Sequence, residues 1–121
     1  MRFLVMVKPS PEHAKDYEAG KMPKREELAP MGAFNDALER DGMLIEATGL
    51  KPTSKGTRMN FAAETPVVSD GPFAETKELV AGFWILEARS KDELVERMRR
   101  APFPRGEQIE IRPFTEPEDF E

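Results

Sequence analysis

"VAGFWILEARSKDELVERM", residues 80–98, decides how this chain folds. Its first half alternates Phe83 and Ile85 with Trp84 and Leu86. A strand over residues 80–89 therefore carries apolar side chains on both faces and belongs at the centre of a sheet. The second half opens with Ser90-Lys91-Asp92-Glu93, a capping box in which the Ser90 hydroxyl takes the N–H three residues on and Glu93 reaches back. Leu94, Val95, Met98 and Ala101 continue that helix on one face, and Pro102 stops it. Arg97, Arg99 and Arg100 suit the negative end of its dipole.

Working outward, residues 2–7 (RFLVMV) form a second strand that is apolar on both sides, closed by Lys8, Pro9 and Pro11. Residues 10–24 show no sustained period and predict a long loop, with room for a short helical turn, that could close over a site as a lid. Leu28, Met31, Phe34 and Leu38 recur at helical spacing, so a helix runs from about Glu27 to Arg40, with Pro30 in its first turn and Asp41-Gly42 as its stop. Residues 43–50 predict a strand, 51–56 a turn, and 57–64 a half-exposed strand. In that last strand Met59, Phe61 and Ala63 share one side. "TPVVS" (65–69) adds a short strand, with Pro66 marking an edge or a start. Residues 107–114 alternate around Ile109 and Ile111 as the last strand, and an acidic tail, 115–121, follows the single domain 1–114.

The order βαββ(β)αβ describes an α+β, ferredoxin-like sandwich with one added short strand. Two helices cover one face of such a sheet. Yet Phe3, Val5 and Val7 stand against Leu4 and Met6, and Phe83 and Ile85 against Trp84 and Leu86, so the second face is apolar too, and burying one large apolar side chain is worth about 1.5–3 kcal/mol. A second copy of the sheet is the economical cover, which predicts a homodimer packed sheet to sheet.

The 121 residues carry 18 Lys and Arg against 23 Asp and Glu, a net charge of −5. An acidic surface opposes phosphate neutralisation, so nucleic acid is an unexpected partner. The absence of cysteine removes disulfides, thiolate nucleophiles and thiolate metal sites, and fits a reducing cytoplasm. The opening "MRFLVMV" is too short to span a membrane. Neither a phosphate-cradling G-x-x-x-x-G-K-[ST] nor a nucleophile elbow occurs, and His13, the single histidine, has no metal ligands spaced with it. We expect no cofactor and no metal, and an exposed loop position for His13.

"VSDGPFAETKE" (68–78) is the stretch with chemical content. With the "GFW" that follows, and with "MGAFNDALERDG", "GLKPTSKGTRMNF" and "GEQIEIRPF" elsewhere, it resembles the YCII-related, DGPF-domain family over nearly the whole chain. The resemblance implies a ferredoxin-like fold, a dimeric α/β barrel, and a bacterial context in which many members are encoded near sigma-factor genes. It implies little about activity. More distant relatives carry a site built on a histidine and an aspartate. Asp70 matches the aspartate of the DGPF motif. The position before Gly32, where some relatives have the histidine, is Met31, and His13 matches no motif position.

Asp70 therefore has two readings: a carboxylate that moves a proton or orients a ligand, and a turn former whose oxygens accept backbone N–H bonds beside Gly71 and Pro72. Lys77 could bind an anionic group, though Glu75 and Glu78 beside it also suit a solvated cluster. Phe73 and Trp84 could line an apolar pocket, with core packing the commoner role for a lone tryptophan in an apolar strand. Asn35 and Arg58 are polar groups near apolar faces, positions more often superficial than ligand-binding. Together these residues predict a small-organic-ligand site near the DGPF turn, with a cofactor-free isomerase- or lyase-like reaction as one use. A noncatalytic ligand-binding or regulatory module, linked to transcription through a sigma factor, is the other.

Overall fold

The computed structural model describes residues 1–73 and 79–120. In chain order these form β1 (Arg2–Lys8), α1 (Pro11–Glu18), α2 (Ala29–Arg40), β2 (Leu44–Gly49), β3 (Thr57–Asn60), β4 (Val67–Asp70), β5 (Gly82–Glu87), α3 (Lys91–Met98) and β6 (Gln108–Pro113). Four strands make one antiparallel sheet in the order β2-β5-β1-β6. This α+β arrangement is compatible with the expected ferredoxin-like fold, and the two strands with apolar residues on both sides, β1 and β5, lie at its centre.

Register explains the core. Phe3 pairs with Leu86 and Val5 with Trp84, and paired residues share a face. These four are buried together with Leu38 of α2, Leu94 and Met98 of α3, Met43 and Ala88. The intervening pairs, Leu4 with Ile85 and Met6 with Phe83, point to the other face and are half-buried. Polar residues flank this second apolar strip. Lys8 donates to Glu110 at 2.8 Å, which holds the Glu110 carboxyl below its ordinary range, and Glu46 and Thr48 of β2 sit opposite Ile85 and Phe83.

The helices start and stop where their end residues dictate. A 3-10 turn, Arg25–Leu28, leads into α2 with Pro30 in the first turn. Gly42 takes a φ of 74°, which L side chains rarely adopt, and the chain turns so that Met43 N–H reaches the Leu38 carbonyl at 2.9 Å. At α3, Ser90 Oγ accepts the Glu93 N–H at 3.1 Å as expected of the cap. Glu93 reaches one residue further back than the sequence motif implies, accepting from the Arg89 N–H at 3.4 Å and Arg89 Nε at 2.7 Å. That contact holds the Glu93 carboxyl below its ordinary value.

Three segments differ from the sequence reading. Residues 11–18 form a helix where a long loop was expected, because Ser10 Oγ caps the His13 N–H at 3.3 Å and Pro11 suits the first turn. None of its side chains is fully buried, so no apolar period marks it. β3 ends at Asn60, not Glu64, since Asn60 Oδ1 accepts the Ala62 N–H at 2.8 Å and turns the chain locally. β3 and β4 also pair only with each other, as a separate two-stranded ribbon inserted between β2 and β5. At the other end of the chain the acidic tail forms a 3-10 turn, Pro117–Phe120. Arg2 Nε donates to Glu116 at 3.2 Å there, while Phe120 stays exposed.

Candidate functional site

α1, the ribbon, and the chain between β2 and β3 gather at one end of the sheet, where β1 and β2 finish and β5 and β6 begin. Polar bonds hold them together. Glu18, at the end of α1, accepts the Thr53 N–H at 3.0 Å with Oε1, and the Thr53 hydroxyl with Oε2. Thr53 Oγ1 in turn accepts the Phe73 N–H at 3.3 Å. Tyr17 Oη lies 2.8 Å from the Leu50 carbonyl oxygen and 2.7 Å from that of Lys51. Burial first, and Glu18 second, raise the Tyr17 phenol above its ordinary value.

Gly71 shows how closely the DGPF turn is seated. Its N–H donates to the Gly56 carbonyl at 2.9 Å, and a Cβ at this position would come within 1.7 Å of the Thr53 carbonyl oxygen. Only glycine permits that approach. The Gly71–Pro72 peptide is cis. At the front of α1, Glu107 accepts the Ser10 N–H at 3.1 Å and contacts His13 Nδ1, and the Glu107 side chain is only 6% exposed. His13 therefore stands on a helix in contact with a carboxylate, where a loop position was expected.

The ribbon has two different faces. Because paired residues share a side, Thr57, Asp70, Met59 and Val68 lie on one, and Arg58, Ser69, Asn60 and Val67 on the other. Asp70 is exposed, and the Thr57 hydroxyl donates to its Oδ1 at 3.1 Å. Arg58, Asn60, Ser69, Pro72 and Phe73, with Met59 and Phe61, enclose a cleft of about 630 Å³. In it the Arg58 guanidinium lies over the Phe73 ring, 4.0 Å from the centroid. A larger cleft of about 720 Å³, around Asp41, Arg89, Glu93 and Arg97, lies at the opposite end of the sheet. Most of its charges are already paired, Arg97 with Asp41 at 2.5 Å, Arg89 with Glu93 at 2.7 Å and Glu96 with Arg99 at 3.0 Å, whereas the ribbon cleft adjoins the DGPF turn, so the ribbon cleft is taken as the candidate.

The residues singled out in the sequence are thus dispersed. Phe73 lies in the ribbon cleft, while Asp70 points to the ribbon's other side. Trp84 is 4% exposed beneath the helices, where its indole N–H donates to Asn35 Oδ1 at 2.8 Å and Phe34 and Phe103 pack edge-on against it. Lys77 falls outside the described residues. Glu18 and Thr53, which position the turn, carried no sequence signal beyond their side-chain type. Arg58 was visible only as a polar residue near an apolar face in a strand read as half-exposed. Among the described residues no group of three or more His, Asp or Glu side chains is placed to hold a metal ion, and no helix is long and apolar enough to cross a membrane.

Comparison with known proteins points one way. An uncharacterised protein of Rhizobium meliloti (strain 1021) is 38% identical over 58 residues, 48% of this chain and 47% of that protein, so the similarity spans about half of each. The family model of the YCII-related domain matches residues 1–117. Coverage of that extent makes the assignment plain: the chain belongs to the YCII-related domain family.

Proposed function

We infer that this protein is a cytoplasmic homodimer that binds a small organic ligand in the ribbon cleft beside the DGPF turn. One observation carries the reading: the turn is fixed from below by Thr53 and Glu18 while Arg58 and Phe73 above it enclose a cleft of about 630 Å³, the size range of small-molecule sites. The half-buried strip of Leu4, Met6, Phe83 and Ile85 supports the second copy, since an isolated sheet would leave it in contact with water. The cysteine-free composition supports the compartment.

Binding without chemistry is the reading the site favours. A carboxylate works as a general base only where it reaches the ligand, and Asp70 lies on the side of the ribbon away from Arg58. An isomerase- or lyase-like reaction at Asp70 is the second reading; it is favoured by the Thr57 hydroxyl, which engages Oδ1 and leaves Oδ2 for a substrate.

A metabolite library followed by amide NMR tests both readings. Binding predicts hits that shift the Ser69 and Phe73 amides and are recovered chemically unchanged. Hits that leave those amides in place sink the ligand site, and turnover abolished by Asp70→Asn would establish the enzyme.

A further inference from the structure

We propose that the ribbon cleft selects an organic carboxylate with a flat apolar body, and that Arg58 is its anchor. This rests on the reading of the cleft as a ligand site and names the class of ligand it takes.

The chemistry follows from how Arg58 is held. A guanidinium stacked on an aromatic ring presents its N–H groups outward in the plane of the fork, and that fork matches a carboxylate with two parallel hydrogen bonds. At 4.0 Å over Phe73, Arg58 is held in this pose, so less side-chain freedom is lost when an anion arrives. No carboxylate among the described residues pairs with it, in contrast to Arg2, Arg89, Arg97 and Arg99, each of which meets a glutamate or aspartate. Arg58 is also the one charged side chain among the described lining residues. A single cation among the described lining residues, in a protein of net charge −5, suits a carboxylate monoanion better than a phosphate dianion, which calls for several cations or a helix N-terminus.

The remaining lining fits the rest of such a molecule. Phe73 and Phe61 offer aromatic surface, and Phe61 is 70% exposed without it. Asn60 has its Oδ1 engaged by the Ala62 N–H, which leaves the amide NH2 as a donor. Ser69, beside Arg58 in the ribbon register, supplies a hydroxyl. Surface charges further away act weakly at physiological salt, where the screening length is about 8 Å, so the local guanidinium governs the choice.

Three probes of known structure test the inference on the full chain: benzoate, its neutral isostere benzamide, and acetate, each titrated against 15N-labelled protein with the Arg58 side-chain Nε–H followed alongside the amides. Benzoate is expected to shift Arg58 Nε–H, Ser69 and Phe73, binding about tenfold more tightly than benzamide or acetate. In Arg58→Gln, whose exposed position leaves the sheet intact, benzoate is expected to fall to the affinity of benzamide. Equal affinity of benzoate and benzamide, or an Arg58→Gln variant that still prefers benzoate, overturns the carboxylate class while leaving the cleft a ligand site. Absence of any shift at Ser69 and Phe73, with library hits also missing them, overturns both.

Discussion

Glu18 and Thr53, 35 residues apart in sequence, are joined twice, by the Thr53 N–H at 3.0 Å and by its hydroxyl, both to one carboxylate. Through Thr53 Oγ1 the same carboxylate governs the Phe73 N–H, so the end of α1 holds the DGPF turn. Replacing Glu18 by Gln removes the charge from both bonds and leaves one oxygen where there were two. Unfolding in urea should show a loss of roughly 1–2 kcal/mol. Hydrogen exchange at the Phe73 amide should quicken while the β1 and β5 amides keep their protection. Unchanged exchange at Phe73 would show that α1 does not hold the turn.

Gly71→Ala meets the Thr53 carbonyl directly, because the added methyl would stand 1.7 Å from its oxygen. The turn must shift, at a cost on the order of 1–3 kcal/mol. The Thr57–Asp70 bond at the mouth of the ribbon should be lost with it, and the four-stranded sheet should persist, as read by amide NMR.

Tyr17 makes α1 sensitive to alkali. Its phenol is raised above the ordinary 10.0, so the folded chain holds that proton more tightly than the unfolded chain. The stabilisation is complete below pH 10.0 and disappears as pH climbs through and beyond that value. Tyr17→Phe should be less stable than the parent at neutral pH by about 1 kcal/mol, from the lost hydrogen bond, yet show a shallower decline above pH 10.0 in urea titrations. Parallel declines for the two proteins would disprove the linkage.

Ile85 faces away from the helix-covered core, opposite Leu4. If a second copy covers this strip, Ile85→Lys places a charge there twice by symmetry. Self-association should weaken by at least about a hundredfold, with Trp84 fluorescence unchanged because the indole lies on the other face. Sedimentation of the parent chain as a monomer at micromolar concentration would remove the dimer altogether.

What the sequence disclosed depended on hydrophobic burial. Phe3, Val5, Trp84 and Leu86 advertise two central strands because their alternation is set by which side meets the helices. Leu94 and Met98 advertise α3 in the same way. α1 was missed because it is held only at its ends by polar groups, Ser10, His13 and Glu107 at one and Tyr17 and Glu18 at the other, and such contacts leave no period. The candidate site was half legible. "DGPF" identifies the turn, and its glycine is explained by Thr53, but nothing local reveals that Asp70 and Arg58 fall on opposite sides, which follows only from the β3–β4 register.

The ribbon leaves and rejoins the sheet at a single rung: Gly49 pairs with Gly82, and the Leu50 N–H closes on the Ala81 carbonyl at 2.8 Å. Everything between is an excursion whose two ends already touch. Doubling its length would add only about 0.6 kcal/mol of loop-closure entropy. Such an excursion can take new residues or a longer arm while the scaffold beneath keeps the same hydrophobic interior.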